Sequence, residues 1–216
     1  MLKVGVGSEV RVGVVDGPVG TATVTSLGEG RVTLQCALEA SVPPRPRVDI
    51  LLALPRPKVM RRLWAPLAEL GVGQIILTNA EKVERDYFDT HILREEGYLP
   101  LLMTGLQQAR DTHLPRVSIH KRFKVLIEDD LPALFPVGRR LMAHPDSSAT
   151  IAGALGAVGP DERVLIAVGP EGGWNVFELD TLRAHGFEQV SLGPRTLTTT
   201  TACIALLALV HSATYH

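Results

Sequence analysis

The chain has 216 residues, with 22 Lys and Arg against 23 Asp and Glu. Hydrophobic residues are 45% and charged residues 21%, which excludes a wholly disordered chain and leaves enough apolar material for a full core. Two cysteines, Cys36 and Cys203, make no disulfide framework and suit a reducing cytoplasm. The opening Met1-Leu2-Lys3-Val4-Gly5 lacks the apolar core of a secretory leader. The late apolar stretch Ala202 to Val210 is far short of the ~20 residues of a membrane span.

The first forty residues read as short strands. Glu9 to Val15 alternates, Asp16-Gly17-Pro18 turns, Thr21 to Leu27 resumes, Gly28-Glu29-Gly30 turns again, and Arg31 to Cys36 alternates. This spacing predicts a small antiparallel sheet or barrel. Val42-Pro43-Pro44-Arg45-Pro46 reads as a linker.

From Val48 the pattern changes. Val48 to Leu54 is a buried strand by its apolar run. Pro57 suits a first helical turn, Val59, Leu63, Leu67 and Leu70 follow at helical spacing, and Gly71 ends the helix. Pro66 inside it predicts a kink. A strand at Gln74–Leu77 follows, then a helix over His91–Thr112 and a strand at Val117–Ile119. Further strands are expected at Arg140–Ala143, Val164–Val168 and Gln189–Leu192, with helices between and after them. Alternating strands and helices imply an α/β fold with a mainly parallel sheet. Two domains follow, residues 1–46 and residues 47–216.

Charge is uneven. Residues 1–62 hold nine cations and five acids. Six of those cations, Arg45, Arg47, Arg56, Lys58, Arg61 and Arg62, fall together. A solvated face beside a linker fits this run, and so does a phosphate-contacting, RNA-binding strip.

Two segments carry the chemical signal. Val164–Val168 runs into Gly169-Pro170-Glu171-Gly172-Gly173, then into a helix that Asn175 is set to cap, with Glu178 three residues on. A glycine-rich turn at the carboxyl end of a strand is where open α/β sheets bind ligands. It is neither a phosphate loop nor a dinucleotide fingerprint, and a plain tight turn has the same spacing. The second segment, Leu192-Gly193-Pro194-Arg195-Thr196-Leu197, leads into Thr198 to Thr201 and the apolar helix Cys203–Val210. One of the threonines can cap that helix.

Together these segments resemble the 16S ribosomal RNA uracil-N3 methyltransferase family of the SPOUT (α/β-knot) methyltransferases. Gly169–Gly173 matches the family's GPEGG turn, and Leu192–Ala202 matches in part its L-G-x-R-I-L-R-x-E-T-A stretch. Glu69-Leu70-Gly71-Val72 matches its E-L-G-V helix end. Leu106-Gln107-Gln108-Ala109-Arg110 before Pro115 matches its E-Q-x-x-R stretch. The resemblance implies a trefoil-knotted C-terminal domain, a PUA-like N-terminal β-barrel and a homodimer with its site at the subunit interface. It implies S-adenosylmethionine as cofactor and 16S ribosomal RNA or the small ribosomal subunit as partner.

By the match, the cofactor would be held by Ala143, His144 and Pro145, by Gly169, Pro170, Glu171, Gly172 and Gly173, and by Leu192, Gly193, Arg195, Leu197, Thr201 and Ala202. Arg195 and Arg110 are the candidates for stabilising a uracil anion. Glu171 lies in the right turn, though its carboxylate suits the following helix N-terminus equally. His144 lies beside a cofactor loop, and a structural role fits it as well as a catalytic one. No His/Cys/Asp cluster has metal-ligand spacing, so no metal is expected. Thr198, Thr200 and Leu106 stand where the family has Arg, Glu and Glu. These departures admit two rivals: a related enzyme with another RNA target, and a knotted RNA-binding protein without catalysis.

Overall fold

The computed structural model describes residues 4–156, 159 and 161–214. Met1–Lys3, where the leader reading began, lie outside the described residues.

Strands β1 (Glu9–Gly13), β2 (Val19–Gly28) and β3 (Arg31–Leu38) form an antiparallel sheet in the order β1-β2-β3. The β2–β3 connection is the two-residue loop Glu29-Gly30, both at positive φ, as the primed hairpin turns require. The small antiparallel sheet that the spacing allowed is present, and among the described residues it is open, with β1 and β3 at its edges, and not closed into the barrel that the resemblance implied. Its inward face is short of apolar material: Ala22 and Val24 are buried, while every residue of β3 is exposed. Thr112, in the connection that precedes Arg116, ties it to the rest of the chain: the Thr112 hydroxyl donates to the Gly17 carbonyl at 2.7 Å and the Thr112 carbonyl accepts from the Asp16 N–H at 2.8 Å.

The second sheet has six strands, β4 (Val48–Ala53), β5 (Val72–Thr78), β6 (Arg116–His120), β7 (Arg139–Ala143), β8 (Val164–Val168) and β9 (Phe187–Val190), in the order β6-β5-β4-β8-β7-β9. Every pairing is parallel. All six strands therefore start at one edge and end at the other. Central β4 and β8 are wholly buried, which explains their unbroken apolar runs.

Helix α1 (Pro57–Glu69) buries Met60, Leu63, Trp64, Leu67 and Ala68, one face at helical spacing. It continues unbroken through Pro66 to Glu69, and Gly71 at φ 67° turns the chain out. The expected helix over His91–Thr112 is divided. A 3₁₀ turn, His91–Leu93, precedes extended Arg94, and α2 (Glu95–Ala109) follows. Glu95 and Glu96 favour a start there because acids suit a helix N-terminus. Short α3 (Phe123–Val125), a π-turn at Leu126–Asp130 and α4 (Leu131–Leu134) lead to β7. Helices α5 (Ile151–Leu155), α6 (Val176–Ala184) and α7 (Thr199–Thr214) complete the chain. Helix α7 packs against α1, α5, β4 and β8. No helix among the described residues is long and apolar enough to cross a membrane.

One acid is buried in the central strand. Asp49 is fully enclosed and paired with Arg163. Burial pushes its carboxyl up from 3.8 to about 6, against the opposing pull of the Arg163 guanidinium. The folded state thus holds this proton more tightly than the unfolded chain. The resulting stabilisation is complete below pH 3.8 and is lost as pH rises through about 6. At 1.36 kcal/mol per unit the swing is about 3 kcal/mol. Urea unfolding of the wild type minus that of Asp49→Asn is expected to fall by this order across that window and to be flat above it. A difference that does not change with pH contradicts the assignment.

Candidate functional site

Three loops leave the carboxyl edge of the parallel sheet and meet. The first follows β7 (His144-Pro145-Asp146), the second follows β8 (Gly169–Trp174), and the third follows β9 (Leu192–Leu197) and runs into α7. Together they line a cleft of about 370 Å³. Every residue expected to hold a cofactor lines it except Thr201, whose hydroxyl instead lies 3.0 Å from that of Thr198. Asp146, Val168, Trp174, Val190, Thr196 and Thr199 also line it. Trp174 was readable as the residue after the glycine turn.

Local chemistry fixes each loop. In the first, the His144 N–H donates to the Val190 carbonyl at 2.9 Å and the Ser147 hydroxyl donates to the Gln189 carbonyl at 2.8 Å. The Ser191 N–H in turn donates to the Ala149 carbonyl at 2.9 Å, so the segment after β9 is tied to the loop after β7. His144 Nδ1 accepts from the Asp146 N–H at 3.3 Å, which ties that ring nitrogen into its own turn.

The glycine turn is braced from behind. The Gly173 N–H closes it onto the Pro170 carbonyl at 2.8 Å, with Gly173 at φ 73°, a conformation glycine adopts without strain. Asn175 and Glu178 form the expected capping box at the start of α6. Buried Glu178 does more: its carboxylate accepts from the Asn175 N–H at 2.9 Å and from the Glu81 N–H at 2.7 Å. The loop after β5 is thereby pinned against the turn. Lys82 on that loop donates to the Gly172 carbonyl at 2.6 Å. Glu171 does not serve the α6 N-terminus; its carboxylate accepts from the Arg56 N–H at 3.2 Å instead. The brace from Glu81 and Lys82 was invisible in the sequence, because about ninety residues separate them from the turn.

Lys82→Ala removes a charge-assisted bond from an exposed position, so its effect is modest. It is expected to weaken ligand binding in this cleft by about 3- to 10-fold. Calorimetric titration checks this, and an unchanged affinity contradicts a bracing role.

The third loop turns at Gly193, φ 99°, and reaches α7 through Thr198. That residue accepts from the Ala202 N–H through its carbonyl at 2.8 Å, and its hydroxyl lies 3.4 Å from the Thr201 N. So one of the four threonines caps, as expected, and the other three lie inside a helix longer than Cys203–Val210. Arg195 lines the cleft, is exposed, and has no side-chain partner among the described residues.

Arg110 does not join this cleft within one chain. It caps α2 at φ 59° and lines a different cleft, about 480 Å³, with Gln107, Leu106 and the β1 residues Arg11 and Val12. The cationic run is also divided. Arg45 and Arg47 precede β4, while Arg56, Lys58, Arg61 and Arg62 follow it. Six residues at ~3.3 Å each put ~20 Å between the two groups. Arg47 is partly buried, and its guanidinium donates to the Gly159 and Thr214 carbonyls. That is a structural clamp and not the solvated strip residue expected. Arg56, Lys58, Arg61 and Arg62 are exposed, and the backbone of Arg56 touches the glycine turn through Glu171.

The cleft suits a flat, mixed-polarity ligand. Val168, Val190, Leu192, Leu197 and Ala202 supply apolar wall. Where a side chain would project from Gly173 or Gly193 the space is open, so backbone can approach a ligand closely. Trp174 also lines the cleft, and its indole N–H is buried with no acceptor among the described residues. These features fit a nucleoside-bearing cofactor. Among the described residues no three His, Cys, Asp or Glu gather as a metal site.

Comparisons with known proteins agree with this geometry. Residues 43–211 match the family described as RNA methyltransferase domain. The chain is similar to a ribosomal RNA small subunit methyltransferase E of Treponema pallidum, 28% identical over 97% of this chain and 79% of that one. It is similar to ribosomal RNA small subunit methyltransferase E 1 of Borreliella burgdorferi, 27% identical over 74% of this chain and 64% of that one. The chain thus spans about two thirds of the second relative's length. Among solved structures, a probable rRNA-methyltransferase from Porphyromonas gingivalis superposes with TM-score 0.79 at 22% identity, over 99% of this chain and 87% of that one. A ribosomal RNA small subunit methyltransferase E from Neisseria gonorrhoeae, solved bound to S-adenosyl methionine, gives TM-score 0.79 at 20% identity, over 97% and 85%. At such identity these likenesses speak for the fold.

Proposed function

The chain belongs to the RNA methyltransferase domain family, and on that premise we propose that it transfers a methyl group from S-adenosylmethionine to N3 of a uridine in 16S ribosomal RNA. The observation that carries this reading is the convergence of the loops after β7, β8 and β9 on one cleft at the carboxyl edge of the sheet.

S-adenosylmethionine supplies an electrophilic sulfonium methyl group when bound. The chain's own work is to hold and align. The glycine turn and the Gly193 loop present backbone at close range, and the Glu178 and Lys82 braces keep the turn from shifting. Uracil N3 must lose its proton before or during attack, so negative charge develops on the flanking uracil oxygens. Arg195 stabilises that charge; its exposure on the cleft wall and its lack of a side-chain partner among the described residues support this role. Arg56, Lys58, Arg61 and Arg62 contact RNA phosphate and set orientation without reading sequence.

Two of the three departures from the family pattern, Thr198 and Leu106, have local explanations that spare the cleft, and Thr200 has none in the structure. Thr198 caps α7. Leu106 is buried in the core, where a carboxylate would be costly. The hydrogen bonds that tie the loop after β7 to β9 and the segment beyond it support the implied knot. The implied homodimer is supported by α7, which exposes Ile204 and Leu209 while burying Cys203, Leu206, Leu207 and Val210. A helix apolar on more than one side wants a second partner, and that partner's Arg110 is a candidate second cation for the uracil. Unpaired Cys36 and Cys203 suit the cytoplasm.

Calorimetric titration with S-adenosylmethionine tests the reading. Saturable micromolar binding is expected. A folded protein that binds none at millimolar cofactor contradicts it and favours a non-catalytic RNA-binding protein.

A further inference from the structure

A second cleft, about 760 Å³, lies at the amino edge of the parallel sheet, opposite the three loops. Its size falls in the roughly 300–1,000 Å³ range of ligand clefts. Four arginines from three distant segments line it. Arg45 and Arg47 come just before β4, Arg116 opens β6, and Arg163 comes just before β8. The parallel topology brings them together, because every strand begins at this edge. Nothing in the sequence joins Arg116 or Arg163 to the Arg45–Arg47 pair.

Two of the four are held rigidly from below. Arg163 is paired with fully buried Asp49 and lies over the Phe135 ring, 5.4 Å from its centroid. Arg47 is held by the Gly159 and Thr214 carbonyls. An enclosed acid at the start of a central strand is a poor source of stability but a good means of fixing a guanidinium. A guanidinium has five N–H donors, so Arg163, anchored by Asp49 through one nitrogen, keeps others for a ligand. The other two are outward. Arg116 is exposed and has no side-chain partner among the described residues. Arg45 is exposed and makes only a loose 3.7 Å pair with Asp16. His113, also on the wall, is buried. Its Nδ1 makes no hydrogen bond, although Asp111 Oδ1 lies 3.4 Å away. Among the described residues, the one acid on the wall is exposed Asp161.

We propose that this arginine-lined cleft at the amino edge of the sheet binds the phosphodiester backbone of the substrate RNA, away from the nucleotide being methylated. The inference rests on the RNA methyltransferase reading above. It makes the protein grip its RNA at both edges of one sheet: Arg56–Arg62 near the chemistry, and Arg45, Arg116 and Arg163 at the far side, with Arg47 clamping the wall between them. Fixed, bidentate-capable guanidinium groups suit phosphate better than mobile lysines do.

The test measures binding of labelled 16S ribosomal RNA against salt concentration for the wild type, Arg45→Ala/Arg116→Ala and Arg45→Lys/Arg116→Lys. Both positions are exposed, so the fold tolerates the changes, and S-adenosylmethionine affinity monitors the distant cleft. The alanine pair is expected to weaken RNA binding by about tenfold at low salt. It should also flatten the log–log salt dependence by about 1.4, at roughly 0.7 per lost phosphate contact. The lysine pair should keep the wild-type slope, and cofactor affinity should not change. Wild-type RNA affinity and slope in the alanine pair overturn the second site and leave the methyltransferase reading intact. A wild-type protein that binds neither the RNA nor the cofactor overturns both.

Discussion

Arg195→Ala is expected to lower kcat for methyl transfer by about 10²- to 10³-fold, the usual loss when one donor to a developing anion is removed. The affinity for S-adenosylmethionine should stay within about threefold, because Arg195 acts on charge that appears only in the transition state. The physical basis is its position. Arg195 sits at the mouth of the cleft, exposed, after the Gly193 turn and before the α7 cap, and no carboxylate among the described residues neutralises it. Arg195→Lys keeps the charge but not the planar fork and should fall between the two. Single-turnover methylation with saturating cofactor reads this directly. A large rise in cofactor Kd with unchanged kcat would move Arg195 to cofactor binding alone.

Gly105→Ala has the largest effect expected on the fold. Gly105 is where α2 crosses α1. A Cβ there would press into the Ala65 carbonyl and stand 2.9 Å from the Ala68 Cβ. Both obstacles belong to a packed helix and neither is the free end of a flexible side chain. Overpacking of this kind costs about 3 kcal/mol, which for a chain of this size lowers Tm by about 6–12 °C. Thermal unfolding followed by circular dichroism measures it. A Tm within about a degree of wild type would mean that the helices can move apart freely, contrary to the close crossing.

Much of the parallel domain was legible because its signals are local. Buried strands read as apolar runs, and the glycine turn and its capping box read as strand, turn and helix. Those features put Gly169–Gly173 and Leu192–Ala202 at strand ends, and the fold made the ends neighbours. What escaped was set by topology. Arg45 to Arg62 read as one strip, but β4 lies inside it and carries its halves to opposite edges. Arg110 matched a motif, yet α2 ends beside the first sheet and not beside the glycine turn. Glu171 looked like a helix-dipole acid, but Glu178 already holds that terminus and Glu171 reaches Arg56. The Lys82 brace and the Asp49–Arg163 pair each join segments about ninety residues or more apart, which no local pattern records.

The central claim is methyl transfer from S-adenosylmethionine to ribosomal RNA. The measurement that tests it most directly incubates the protein with methyl-labelled S-adenosylmethionine and small ribosomal subunits or their RNA lacking the modification, then analyses the nucleosides by mass spectrometry. The account predicts label in 3-methyluridine from 16S ribosomal RNA, reduced by Arg195→Ala. Label in another nucleoside would keep the enzyme and replace its target. A folded protein that transfers no label to either substrate would contradict the account.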